Sequence, residues 1–190
     1  PYTPSHLDEE KDEDSVSPLK ENGNFYRRGT LIHKLLQFLP QSSENRENIL
    51  DEYLNKNAEG FDKGQILQIK HEVTALLDNP EFSEIFGENS KAEVPIIGEV
   101  GGEIISAQLD RLIILPQKIM IVDFKTNRPA AKDLASTSPS YIKQLGKYAE
   151  LLCKIYPEKK IETYILWIVF YDISSLNHLF RMGVIIGSIG

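Results

Sequence analysis

Hydrophobic and polar positions change period along this chain, and the changes divide it into elements. Ile32, Leu35, Leu36 and Leu39 fall at i, i+3, i+4 and i+7, which predicts a helix over 27–39 closed by Pro40. Further helical patterns cover 44–58 and 62–78. The second has Asp62 as N-cap, an apolar face of Ile66, Ile69, Val73, Leu76 and Leu77, and His71 on the solvent side. A short helix near 80–86 stops at Gly87. The period then shortens. Lys91–Ile97, Gly102–Leu112 and Lys118–Lys125 read as successive strands, with Gly98, Gly101, Gly102 and Pro116 marking turns. A helix over 139–156 starts at Pro139 and buries Ile142, Leu145, Ala149, Leu152 and Tyr156. Tyr141, Gln144 and Tyr148 form a neighbouring stripe, and Lys143, Lys147 and Lys154 lie beyond it. The apolar run Ile161–Phe170 reads as a last strand. A meander of strands followed by helix and strand gives an α/β domain: a mixed sheet with helices packed on it.

Composition narrows the class. With 190 residues, 41% hydrophobic and 26% charged, the chain has the size and balance of one globular domain. Cys153 is the only cysteine, which excludes an internal disulfide, a zinc knuckle and a cysteine-bound iron–sulphur cluster. A reducing, cytoplasmic setting is expected, with no signal peptide and no membrane span. The net charge of −7 is unevenly spread. Residues 1–21 carry seven acidic side chains and two lysines, so 1–24 reads as an acidic linker or disordered lead-in. Residues 118–160 carry nine basic against four acidic side chains, a local surplus suited to a phosphate backbone. Pro1 in place of Met suggests a piece of a longer polypeptide. Residues 171–190 form an apolar tail of unassigned role, an extra strand or a surface for a partner.

The candidate chemistry sits in Gln108–Leu112 and Ile119–Thr126. Alternation puts Asp123 and Lys125 on one face with Ile119 and Ile121, while Val122 and Phe124 point the other way. Charges enter only where the strand ends, and Asp110 is placed in the same manner at the end of the strand before. Two carboxylates and an ammonium converging there suit a divalent cation with a positioned water. An ordinary surface ion pair at Asp123–Lys125 and a turn at Asp110–Arg111 are the plain alternatives. Glu93 reads as an edge charge. His33 borders its helical stripe, where it could reach into a cleft.

Gly29-Thr30-Leu31-Ile32-His33, Gln108-Leu109-Asp110-Arg111-Leu112, Val122-Asp123-Phe124-Lys125-Thr126 and Gln144-Leu145-Gly146-Lys147-Tyr148 resemble the ordered motifs of PD-(D/E)XK nucleases of the RecB/AddA type. The nearest likeness is to the C-terminal nuclease domain of AddA-type helicase–nucleases. The resemblance implies a restriction-endonuclease-like fold over 25–170, with an extra N-terminal helical region, and a Mg2+-dependent deoxyribonuclease (exonuclease) in which Mn2+ can substitute. It implies Asp110, Asp123, Lys125, Gln144 and Tyr148 as catalytic residues. The metal ligands would be His33, Asp110, Asp123 and the Phe124 backbone carbonyl. It further implies DNA, single-stranded or at duplex ends, as substrate, a helicase motor on the same polypeptide, an AddB-like partner subunit, and a role in double-strand-break repair and recombination. The competing reading is a non-catalytic DNA-binding or docking module on the same fold.

Overall fold

The computed structural model describes residues 19–42, 44–126, 130–168 and 180–189; the bulk of the acidic lead-in and the start of the C-terminal tail lie outside these. Five helices and five strands follow one another as α1 (Leu19–Phe38), α2 (Arg46–Asn57), α3 (Lys63–Asp78), α4 (Ser83–Phe86), β1 (Ser90–Val100), β2 (Glu103–Ile114), β3 (Lys118–Lys125), α5 (Pro139–Ile155), β4 (Lys160–Ile168) and β5 (Phe180–Ile189). The strands form one mixed sheet in the order β1-β2-β3-β4-β5. Only β3 and β4 run parallel, as the α5 crossover between them requires. The mixed sheet between helical layers is the architecture expected.

Each face of the sheet has its own core. Met120, Val122 and Phe124 of β3 pack with Ile32, Leu35 and Leu36 of α1 and with Ile69, Val73 and Leu76 of α3. Ile119 and Ile121 face the other way, onto Leu145, Ala149 and Leu152 of α5. The period-two pattern of β3 is therefore read by two helical layers at once. Asp62 caps α3 as expected: its carboxylate accepts from the Gln65 N–H at 2.8 Å, and the Gln65 side chain accepts from the Asp62 N–H at 2.9 Å.

Boundaries differ from expectation in two places. Helix α1 begins at Leu19, inside the stretch read as a lead-in. Gly98 marks no turn. It lies within β1, where a Cβ would stand 2.3 Å from Cδ1 of Leu151, so its missing side chain is what lets α5 lie close on the hairpin. The turn itself is made by Gly101 (φ +60°) and Gly102 (φ +84°). The C-terminal strand β5 pairs antiparallel with β4, running from Ile168↔Phe180 to Ile161↔Ile189, so part of the tail is the extra strand that the sequence offered.

Candidate active site

The site forms because two neighbouring strands change phase at one rung. On β1, Val94, Ile96 and Val100 face α5, yet Ser90 faces the opposite layer, where it meets Arg111. On β2, Ile105 and Leu109 face α5, while Arg111 and Ile113 face the α1–α4 layer. Strict alternation would keep each set on one face. The break falls at Glu93, whose φ of +53° is the single positive value at a non-glycine residue among those described. In the β1–β2 register Glu93 lies across from Asp110, between Ala92↔Arg111 and Val94↔Leu109. Both strands shift together, so the pairing continues on either side. The shift sends the Arg111 side chain into the α1–α4 layer. It also brings Asp110 into line with Asp123, the next rung after Arg111↔Val122. β2 continues to Ile114, so Asp110 sits within the strand and not at its end.

Asp110 is held from two sides. Its Oδ2 accepts the Phe124 N–H at 2.7 Å, and its Oδ1 lies 3.4 Å from Nδ1 of His33 on α1. Phe124 is itself fixed by the edge of the His33 ring, at 5.8 Å between centroids, and by a stack on Phe86 at 6.0 Å. Across the rung, Asp123 Oδ2 lies 2.8 Å from Lys125 Nζ. That oxygen is buried, and the ammonium is the group that faces it. Lys125 also lies over the Tyr141 ring, 4.3 Å from its centroid. Tyr141 leans in turn on Trp167, the residue paired with Lys125 on β4. From α5 the Tyr148 hydroxyl reaches the site, bonded to the Gln144 side chain.

These neighbours separate the two carboxyls. Burial opposes ionisation of Asp110, but the His33 bond and charge, the Phe124 N–H and Lys125 outweigh it and hold the group below its ordinary value. Burial raises Asp123, helped by the negative Asp110, and Lys125 offsets only part of the rise. Burial disfavours the Lys125 ammonium, yet Asp123, Tyr141 and Asp110 raise it above its ordinary value. Burial likewise disfavours the His33 imidazolium, but Asp110 and Asp123 raise it overall. Burial raises the Tyr148 phenol, and the nearby Asp123 charge raises it further.

Of the residues expected from sequence, His33, Asp110, Asp123, Phe124, Lys125 and Tyr148 are thus brought together at the end of β3, around the rung that joins it to Asp110 within β2. Gln144 is exposed on α5 and joins through Tyr148. Two of the three α5 lysines have other work. Lys147 pairs with Glu103, and Lys154 donates to the Glu99 carbonyl at 2.8 Å, so both clasp the β1–β2 hairpin. Arg111 is no turn residue: it is 1% exposed, donates to the Leu36 carbonyl and to Ser90, and lies over Phe86. Its place between Leu109 and Leu112 in an apolar strand was the available sign of burial. Tyr141 as the seat of Lys125 had no sequence signal beyond its helical stripe.

The donor set suits a hard cation: two carboxylates on one rung beside a fixed backbone. Among the described residues no three His, Cys, Asp or Glu side chains already stand together as a ligand group, and the Lys125 ammonium supplies the positive charge next to Asp123.

A family model described as the PD-(D/E)XK nuclease superfamily matches residues 10–173. No curated protein matches the chain significantly. Among solved structures, a candidate exonuclease from Eubacterium rectale is similar at 13% identity and a TM-score of 0.46, over 82% of this chain and 59% of that one. Protein VC1899 from Vibrio cholerae is similar at 12% identity and 0.34, over 80% of this chain and 45% of that one. The protein SSO0001 is similar at 15% and 0.32, over 79% and 73%. The chain therefore spans about three-fifths of the first of these.

Proposed function

Because the chain belongs to the PD-(D/E)XK nuclease superfamily, whose members use divalent metal ions, generally Mg2+, we propose that it hydrolyses DNA phosphodiester bonds, acting as the exonuclease domain of a cytoplasmic helicase–nuclease of the RecB/AddA type in double-strand-break repair and recombination. A helicase motor on the same polypeptide and an AddB-like subunit would be its partners. What carries the reading is the convergence of Asp110, Asp123 and Lys125 on adjacent strands, with Asp110 and Asp123 on one rung and Lys125 2.8 Å from Asp123.

In this reading Asp110 and Asp123 would hold Mg2+, or Mn2+ in its place, with His33 and the Phe124 carbonyl as further ligands. The ion would supply positive charge to the scissile phosphate and lower the pKa of the attacking water. The remaining work belongs to the chain. Lys125, kept charged by Asp123 and the Tyr141 ring, orients the attacking water and stabilises the negative charge developing on the phosphoryl oxygens. Tyr148, steadied by Gln144, fixes the strand against Lys125. Asp110 stays ionised, as a ligand must.

Asp123→Asn and Lys125→Ala are each expected to lower kcat/KM on single- and double-stranded DNA with Mg2+ by about 100-fold or more. Cutting at the parent rate by both would refute the proposal. One observation favours a docking module instead: Lys125 already supplies a positive charge beside Asp123. A Mn2+-dependent thermal shift in the parent, lost in Asp110→Asn, would decide against that alternative.

A further inference from the structure

Helix α1 carries more than His33 toward the strand ends. Gly29 sits so close to the end of β3 that a Cβ there would stand 2.6 Å from Thr126 Oγ1. One turn before Gly29 lie Phe25, 56% exposed, and Tyr26, 69% exposed. The other exposed large hydrophobics (Leu67, Ile97, Ile104, Leu134 and Ile155) are aliphatic, so these two are the exposed aromatics among the described residues. In helical projection Tyr26 lies within about 20° of His33, about 10 Å along the axis, and Phe25 lies on the other flank of Gly29. The two rings therefore overhang the side of α1 that meets Thr126 and Asp110. The Thr30 hydroxyl donates to the Tyr26 carbonyl at 3.1 Å, which ties this turn to the next. Arg27 turns to the other side of the helix, where it lies over the Phe61 ring and donates to the Glu59 carbonyl.

Two adjacent aromatic rings left in water cost hydrophobic free energy unless something stacks on them. They continue the surface of the site along the Gly29–His33 side of α1. We propose that Tyr26, with Phe25 beside it, is a stacking platform for an unpaired nucleobase of the strand being cut, so that the site favours single-stranded DNA or frayed ends over closed duplex. This rests on the nuclease reading and adds the side chains that take a base next to the cut. A paired base has both faces covered by its neighbours, whereas an unpaired base can offer one to an aromatic ring. Stacking of this kind tolerates any sequence, because every base has a π-face.

The test uses the whole chain and a fluorescent single-stranded 20-mer. Without metal, Tyr26→Ala is expected to weaken binding by anisotropy about 5- to 100-fold, with Tyr26→Trp near the parent. The slope of affinity against salt should not change, because no phosphate contact is removed. With Mg2+, one abasic position walked along the 20-mer should slow the parent at a single offset from the cut by a similar factor. Tyr26→Ala should be indifferent to it. Parent-like metal-free binding by Tyr26→Ala and by Phe25→Ala overturns the platform even if the parent cuts DNA. Loss of binding that comes with a changed salt slope overturns it too. A parent that cuts no DNA refutes the nuclease reading, and the metal-free titration still decides the platform.

Discussion

The left-handed backbone at Glu93 is the feature on which the site geometry turns, and two substitutions there should diverge. A non-glycine residue at φ +53° bears a steric cost of about 1–2 kcal/mol, and a β-branched residue bears more. The strand cannot relax to regular pleat. That would swing Arg111 from its Leu36 and Ser90 partners toward the apolar α5 layer, at a cost of several kcal/mol for a buried charge without partners. The strain is therefore trapped. Glu93→Gly removes it but loses about 0.5–1 kcal/mol through the freer unfolded chain, and should fall near the parent. Glu93→Val retains the strain and adds crowding at Cβ, a cost of about 2 kcal/mol or more. Val should then be less stable than Gly by about 1–2 kcal/mol, which for a domain of this size lowers Tm by about 3–6 °C. Glycine is ordinarily the poorer strand former, so the sign is diagnostic. Thermal unfolding by circular dichroism reads it directly. Val melting above Gly would mean that Glu93 does not hold the turn-like backbone, and the account of how Asp110 reaches Asp123 would fall with it.

Gly98→Ala should destabilise by about 1–3 kcal/mol, since its Cβ meets Leu151 Cδ1 at 2.3 Å; adding Leu151→Ala should make the Gly98 change nearly neutral in a urea-unfolding double-mutant cycle. Tyr141→Leu removes the ring under Lys125 and should lower kcat several-fold to about 30-fold, with Tyr141→Phe close to the parent in the same single-turnover assay. Glu162 is held down to about 2, first by Lys160 and also by Tyr164 and Lys118. A depressed acid gives stability above its ordinary value of 4.5 that is lost as pH falls toward about 2. The shift taken whole is about 3 kcal/mol, but Lys160 is half exposed, so solvent screening leaves about 1 kcal/mol. Glu162→Gln should flatten the acid side of the stability curve by that amount, read from urea midpoints at about pH 7 and about pH 3.

Periodicity was enough to place every element that points a side chain into the site. The apolar stripe of α1 located His33 at its border, and β3 carried Asp123 and Lys125 on the face shared with Ile119 and Ile121, as alternation requires. It failed where faces exchange. Counting by twos from Leu109 puts Arg111 toward α5 and Asp110 away from Asp123, and the hydrophobic pattern has no sign for a left-handed residue on the neighbouring strand. Glu93 read as an edge charge because its role lies in φ, a property of the backbone that its side chain does not announce.

Arg111 shows how far local reading goes. Pro40 closes α1, as the sequence says, and a proline has no N–H to offer the carbonyl four residues before it. That carbonyl belongs to Leu36, in the buried layer against the sheet. An unbonded buried carbonyl costs about 1–3 kcal/mol, so a donor must come from elsewhere. It comes from Arg111, 75 residues along the chain, pressed over Phe86, its pKa lowered to about 10 by burial that the Asp110 and Glu93 charges only partly offset. The helix terminator and the buried guanidinium are therefore one structural fact. Because Arg111 is the residue next to Asp110, the bond that completes the end of α1 also fixes the distance between the His33 helix and the Asp110 strand. A signal that looks purely local, a proline after a helical stripe, is thereby tied to the geometry of the candidate active site.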